Sequence, residues 1–283
     1  MNILEKDRSI RDLDRSKQKL GDELDFAAKE SYNLLKTNIE FSLTKKTDGE
    51  GFVIGITSSC PQEGKSYTSI NLAYSIASDG NKVLLVDGDM RRPSVARSLE
   101  LDQIPGLANV LAGNDEVNEK DIIHNGVLHE NLDVILSGTI PPNASKLIRS
   151  DEFKALIEDY KKSYDYVILD LPPVNSVSDP IGVSQFIDGL IIVIKHDYTR
   201  RRDALEAIRQ LKYVNANVIG FIYNGYSRSG AYYYKKHRKN YRYYNSEYYY
   251  QKKRWNSCFR TKRRTKIKNI KKEVEKWKWK SIY

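Results

Sequence analysis

A chain of 283 residues is long enough for one α/β domain with extensions, or for two small domains. No apolar run approaches the ~20 residues needed to cross a bilayer. Residues 1–19 lack the apolar core of a signal peptide, and the two cysteines, Cys60 and Cys258, are too few for a disulfide framework or a structural zinc site, so cytoplasmic residence is expected. Charge is unevenly placed. Of 47 Lys/Arg and 37 Asp/Glu, 20 and 3 lie from Arg228 onward, so a net acidic body carries a strongly basic tail. Such asymmetry suits a polyanionic neighbour, either anionic lipid or nucleic acid.

Residues 1–21 read as a charged, solvated lead-in ending at Gly21. A helix is expected over 22–44, with Ala28, Tyr32, Leu35, Ile39 and Leu43 along one face. From residue 52 to 224 apolar runs alternate with helix-length segments; the runs are 52–57, 82–87, 132–136, 165–170, 189–195 and 217–223. Several are rich in Val and Ile and apolar on both faces, as buried parallel strands are. The pattern predicts an α/β fold, a doubly wound, mostly parallel sheet of about six to seven strands, within a domain spanning 22–225. After Asn224 the composition changes. Residues 226–250 interleave tyrosines with Lys, Arg, Ser and Asn and almost lack aliphatics, so a disordered tail is expected. Residues 251–283 continue basic, and within them Lys266 to Trp279 could form a helix carrying Ile270, Val274 and Trp277 on one face and lysines on the other.

The strongest local signal is Ser58-Ser59-Cys60-Pro61-Gln62-Glu63-Gly64-Lys65-Ser66, between the run Phe52-Val53-Ile54-Gly55-Ile56 and an amphipathic stretch with Ile70, Ala73, Tyr74 and Ala77. Strand, small-residue turn, Gly-Lys-Ser and helix form the setting of a phosphate-binding loop. Backbone N–H groups from Ser59, Gln62, Glu63, Gly64, Lys65, Ser66 and Tyr67 would converge on phosphate, aided by the helix dipole. Lys65 would reach the terminal phosphates and the Ser66 hydroxyl would hold Mg²⁺. Ser59 stands where the motif usually begins with glycine. Cys60 would have a lowered pKa if the loop is electropositive.

Three further features end predicted strands. Val86-Asp87-Gly88-Asp89-Met90-Arg91-Arg92-Pro93 places two carboxylates one residue apart, suited to Mg²⁺ coordination or to proton abstraction from a hydroxyl. Its arginines could balance phosphate or those carboxylates. Ile168-Leu169-Asp170-Leu171-Pro172-Pro173 ends an apolar strand in the Asp that commonly partners a phosphate loop on Mg²⁺. Asn224, in Tyr223-Asn224-Gly225, could read an adenine edge or could simply open an Asn-Gly turn.

Pro-Gln-Glu-Gly-Lys-Ser, then Val-Asp-Gly-Asp-Met-Arg-Arg-Pro, then Ile-Leu-Asp-Leu-Pro-Pro, followed by a Tyr-rich C-terminus, resembles the bacterial tyrosine kinases of capsule and exopolysaccharide operons, phosphate-loop NTPases in fold. The resemblance covers roughly residues 25–250. It implies a protein-tyrosine autokinase using ATP and Mg²⁺, with Lys65, Asp87 and Asp89 catalytic and Asp87 the base. It places Ser66, Asp89 and Asp170 on the metal. The acceptors would be Tyr232, Tyr233, Tyr234, Tyr241, Tyr243, Tyr244, Tyr248, Tyr249 and Tyr250. Implied partners are a membrane polysaccharide co-polymerase whose cytoplasmic tail activates the kinase at the inner face of the cell membrane, and a tyrosine phosphatase. Residues 138–147, with Pro141-Pro142-Asn143, also resemble a family segment. Two departures stand out. The family's Glu-x-x-Arg-x-x-Arg helix pattern, which helps build a homo-oligomeric ring, retains only Glu30 and one positive charge, Lys36, and Lys cannot form the bidentate fork of Arg. The basic extension beyond Tyr250 has no counterpart in the resemblance.

Two other readings compete. A partition or division-site ATPase would bind a surface through the basic tail; such proteins usually carry an additional lysine five positions before the loop lysine, where this chain has Cys60. A Tyr/Lys/Arg tail could also stack on and neutralise nucleic acid. Its coupling to a phosphate loop and an Asp pair favours the substrate tail, and a nucleic-acid partner is disfavoured.

Overall fold

Each predicted apolar run becomes a strand. The structure, a computed structural model, describes residues 19–43, 49–113 and 117–225. The expectations for 1–18, for the tyrosine tail 226–250 and for the extension 251–283 lie outside the described residues.

Helix α1 (Phe26–Ser42) starts at Asp25, whose carboxylate accepts the Ala28 N–H at 2.8 Å and so satisfies a donor of the first turn. Residues Gly21–Glu23 form a separate 3₁₀ turn, pinned by Gly21 N–H to Asn71 Oδ1 at 2.9 Å. The α1 face carrying Ile39 and Leu43 joins the main core, with Tyr32 and Leu35 packed at its edge.

The sheet follows in chain order as β1 (Phe52–Ser58), β2 (Val83–Asp87), β3 (Ile123–His124), β4 (Leu132–Ile135), β5 (Tyr166–Asp170), β6 (Gly189–Lys195) and β7 (Val218–Asn224). Its spatial order is β3-β4-β2-β5-β1-β6-β7. Every pairing is parallel except β3 with β4, a two-residue antiparallel edge too short to leave a periodic signal. Central strands β1, β2 and β5 are buried almost throughout, as a sheet covered on both faces requires.

The helices that matter for the site are α2 (Lys65–Ala77) after β1, short α3 (Val95–Leu99) after β2, and short α4 (Leu107–Leu111). After β4 come α5 (Ala144–Leu147) and α6 (Asp151–Ser163), then α7 (Asp179–Val183) after β5 and α8 (Arg201–Tyr213) after β6. Residues Ile70, Ala73 and Ala77 of α2 pack on Ile54, Ile56, Leu85 and Ile168 of the sheet. The carboxyl ends of β1, β2, β5, β6 and β7 therefore meet around the start of α2. On an open α/β sheet that edge is where ligands bind. No helix among the described residues is long and apolar enough to cross a membrane.

On the opposite face α6 inserts Phe153, fully buried and edge-on to Phe186 at a ring-centroid distance of 6.0 Å. Replacing Phe153 by Ala should lower unfolding free energy by ~3–5 kcal/mol, because a large cavity opens where the sheet cannot collapse. Urea unfolding followed by circular dichroism measures it, and a loss below ~1 kcal/mol would show that this layer rearranges freely.

Candidate active site

Between β1 and α2 the chain turns through two left-handed residues, Gln62 at φ 67° and Gly64 at φ 91°, ψ 23°. Gly64 is required twice over. Its φ disfavours any Cβ, and a Cβ there would sit 2.0 Å from Asn224 Nδ2. Thr68 N–H to Gly64 O at 3.0 Å is the first hydrogen bond of α2, so the N–H groups just before it have no partner within the helix. At the positive end of a 13-residue helix those donors suit an anion.

Glu63 explains the irregular start of the loop. Its fully buried carboxylate accepts Ser59 Oγ–H at 2.8 and 3.0 Å, Cys60 N–H at 2.9 Å and the Thr199 hydroxyl. Ser59 stands in place of glycine because its hydroxyl holds this carboxylate. Glu63 thus binds the loop to itself and to the β6–α8 connection with its side chain, leaving only its backbone for a ligand. From the same connection Tyr198 OH donates to Pro61 O at 3.2 Å and Lys195 Nζ to Gln62 O at 3.4 Å. Asn224, at the end of β7, donates through Nδ2 to Glu63 O at 2.9 Å, so one amide hydrogen of the expected base reader is committed to the loop. Burial and the neighbouring Glu63 push the Cys60 thiol up rather than down, which corrects the expected low pKa.

The carboxylates come together through strand register. Asp87 of β2 and Asp170 of β5 are paired positions on adjacent parallel strands, so both project from the same end of the sheet, and both are fully buried. Lys65 reaches across α2 toward them, with Nζ 2.9 Å from Asp89 Oδ2, 3.3 Å from Asp170 Oδ2 and 3.2 Å from Ser66 Oγ. Burial works against the Lys65 charge, but Asp170, Asp89 and Asp87 outweigh it and hold its pKa above the ordinary value. Asp87 and Asp170 are both pushed up, first by burial; for Asp87 the Asp170 charge adds to this, whereas Lys65 opposes it at both. Asp87 accepts the N–H groups of Asp89 at 3.2 Å and Val95 at 3.3 Å; Asp89 Oδ1 accepts Arg92 N–H at 3.0 Å.

Three carboxylates thus share one lysine. That surplus of buried negative charge, beside the nearly buried Ser66 hydroxyl, is a hard-oxygen donor set suited to Mg²⁺. Among the described residues there is no group of three or more His/Cys/Asp/Glu that could hold a metal ion by itself.

Other predicted residues fall elsewhere. Tyr67 turns its hydroxyl to Lys19 O at 2.9 Å, away from the loop. Glu30 is exposed and accepts the Asn33 amide at 3.2 Å. Lys36, expected on an oligomer surface, is buried and ion-paired with Asp79 of its own chain. Sequence reasoning missed Ser69, whose hydroxyl donates to Asp170 Oδ1 at 3.2 Å, and Ser94, whose Oγ donates to Ser66 Oγ at 2.8 Å. Ser69 lies one helical turn after Lys65, a spacing that was visible; Ser94 and Thr199 arrive by tertiary contact alone.

A family model described as an AAA domain matches residues 53–218. The tyrosine-protein kinase YwqD of Bacillus subtilis (strain 168) is 37% identical over 69% of this chain and 80% of its own length. The chain belongs to the bacterial tyrosine-protein kinase family. Its fold is similar to the kinase domain of the Escherichia coli tyrosine kinase ETK, at TM-score 0.66 and 29% identity, covering 72% of this chain and 78% of that one. A septum site-determining protein MinD from Pyrococcus horikoshii, complexed with Mg-ADP, is more distant, at TM-score 0.52 and 26% identity over 63% and 72% of the two chains. The partition or division-site reading therefore reflects a shared phosphate-loop fold, and that fold implies nucleotide binding.

Gly64→Ala should lower nucleotide affinity at least tenfold, because strained φ and the Asn224 clash displace the first turn of α2. Titration calorimetry with ADP and Mg²⁺ checks it; affinity within twofold of wild type would mean that the loop does not carry the phosphate.

Proposed function

We propose that this chain is an ATP- and Mg²⁺-dependent protein-tyrosine autokinase that phosphorylates its own tyrosine-rich tail and regulates capsular or exopolysaccharide synthesis and export. The observation carrying the proposal is the Lys65 ammonium, 2.9 Å from Asp89 and 3.3 Å from Asp170, beside Asp87 and immediately after the Gly64 turn.

Phosphoryl transfer asks a protein for position and charge more than for covalent chemistry. The start of α2, with Gln62, Gly64, Lys65, Ser66 and Tyr67 contributing backbone, would hold the phosphates, and Asn224 would border the base. Lys65 would leave its carboxylates in part for the terminal phosphates. Ser66, Asp89 and Asp170 would hold Mg²⁺, which when bound supplies neutralisation of phosphate charge. Asp87 would take the proton of the acceptor tyrosine at its carboxylate oxygen. Its burial, together with the Asp170 charge, raises its proton affinity, which suits a base working near neutral pH. The buried strand ends exclude water from that oxygen.

The acceptors would be Tyr232, Tyr233, Tyr234, Tyr241, Tyr243, Tyr244, Tyr248, Tyr249 and Tyr250, delivered at high effective concentration by the tail of the same chain or of a neighbouring copy. Each phosphate adds roughly −1.5 to −2 charges. Several would cancel much of the tail's attraction to an anionic membrane surface. The cytoplasmic tail of a membrane polysaccharide co-polymerase would recruit and activate the kinase at the inner face of the membrane, and a tyrosine phosphatase would reset it. A homo-oligomer would need a contact other than the family's arginine fork, since Lys36 is committed to Asp79.

The full chain, incubated with ATP, Mg²⁺ and an activator fragment, should gain phosphotyrosine within 226–250, mapped by mass spectrometry of its peptides. Lys65→Met and Asp87→Asn should each reduce that signal by at least 10²-fold while the circular dichroism spectrum is retained. An unmodified tail with γ-phosphate released to water would replace the kinase reading with an ATPase.

A further inference from the structure

Arg91 belongs to the same stretch as Asp87 and Asp89, yet its guanidinium points away from Lys65. Its Nε lies 3.2 Å from Asp179 Oδ2 and its Nη2 donates to Ser145 Oγ at 2.6 Å. The Ser145 hydroxyl in turn donates to Asp179 Oδ1, closing a three-membered network. Asp179, the first residue of α7, is 2% exposed. Ser145 lies on α5, within the segment 138–147 to which the motifs assigned no role. Three connections that leave the sheet after β2, β4 and β5 thus meet at one buried carboxylate.

The loop 87–95 has its other anchors toward the start of α2, where Ser94 Oγ donates to Ser66 Oγ at 2.8 Å and Asp89 Oδ2 lies 2.9 Å from Lys65 Nζ. Gly88 N–H donates to Asp170 O at 2.9 Å, Arg92 N–H to Asp89 and Val95 N–H to Asp87, all on one flank. Its tip, Arg91, is exposed along much of its side chain and is held only at the guanidinium end among the contacts described. A buried carboxylate without a cation is costly, so Arg91 cannot swing toward phosphate without stranding Asp179. This resolves what the arginine of the motif balances: a carboxylate on the far side of the loop.

We propose that Asp179 is a positioning residue for the catalytic loop. It fixes Arg91, and through Ser145 it ties the loop carrying Asp87 and Asp89 to the segment 138–147. The consequence is a separation of effects. Misplacement of reacting groups by an ångström lowers turnover strongly, whereas the backbone N–H groups at the start of α2 keep their own anchors in Glu63 and the Gly64 turn. The inference rests on the kinase reading for its meaning, but its test does not require that the phosphate go to tyrosine.

Two measurements on the full chain decide it. Hydrogen exchange of a peptide spanning 87–95 should be at least tenfold faster in Asp179→Asn and Ser145→Ala than in wild type, with a 59–69 peptide changing less than threefold. ADP formation in the presence of the activator fragment, which counts transfer to tyrosine and to water alike, should fall roughly tenfold to hundredfold in both variants. Affinity for a fluorescent ADP analogue should stay within twofold. Ser145→Thr, which keeps the hydroxyl, should restore turnover, and the Asp179/Ser145 double variant should be no worse than Asp179→Asn alone. If Asp179→Asn fails to fold, Ser145→Ala and Arg91→Gln carry the same comparison. Unchanged exchange at 87–95, or turnover and nucleotide affinity falling in equal proportion, overturns the proposal. Hydrolysis without phosphotyrosine would overturn the kinase reading instead, and a wild type forming no ADP would leave exchange to decide the latch.

Discussion

The site depends on a charge imbalance set by strand register. Asp87 and Asp170 are side by side because β2 and β5 pair in parallel at those positions, and both side chains are buried. Asp89 adds a third carboxylate two residues on, and Lys65 is the cation that lies among them. Paired buried charges are tolerated when each finds a partner and unpaired ones are not. With three carboxylates around one ammonium, burial raises the proton affinity of Asp87 and Asp170, and the Lys65 charge opposes that rise at both. On the proposed reading, a site with more carboxylates than cations suits a polyphosphate that brings its own metal.

A second constraint acts on the phosphate loop. Glu63 is as buried as the catalytic carboxylates, but it is satisfied by Ser59, Cys60 and Thr199. Its charge is therefore absorbed locally by hydrogen bonds and serves shape. The distinction between Glu63 and Asp170 is one of surroundings, since both are acidic residues near the same loop. Thr199 also accepts the Lys195 N–H at 2.7 Å, so the connection after β6 is ordered by the same group that orders the loop.

How much of this was legible follows from which signals are local. The six long strands were readable because each is a continuous apolar run, and the phosphate loop because Gly-Lys-Ser sits between a strand and a helix. The edge strand β3 was not, since two residues carry no period. The cluster of Lys65, Asp87, Asp89 and Asp170 could be assembled from strand ends alone, because open parallel sheets gather those ends at one edge. Thr199, Ser94 and Asp179 could not, because their roles arise from contacts across 28 to 136 positions of sequence. The condition set for Cys60, an electropositive loop that would lower its pKa, is not met: burial and then the Glu63 charge push the thiol up. Lys36 looked like the remnant of a surface motif and proved to be the internal partner of Asp79.

Under the proposed autokinase reading, these constraints give a reason for acceptor tyrosines to lie on a separate segment. The catalytic carboxylates lie at the ends of buried strands, and the loops around them are fastened to one another by Glu63 on one side and Asp179 on the other. A site braced on both sides has little freedom to move toward a substrate, so the substrate must come to it. The tyrosines after Asn224 sit in a sequence rich in Lys, Arg, Ser and Asn and almost without aliphatics, a composition that builds no core of its own. On that reading the body's excess of acidic residues and the tail's excess of basic ones would favour an encounter, and each phosphate transferred would weaken it.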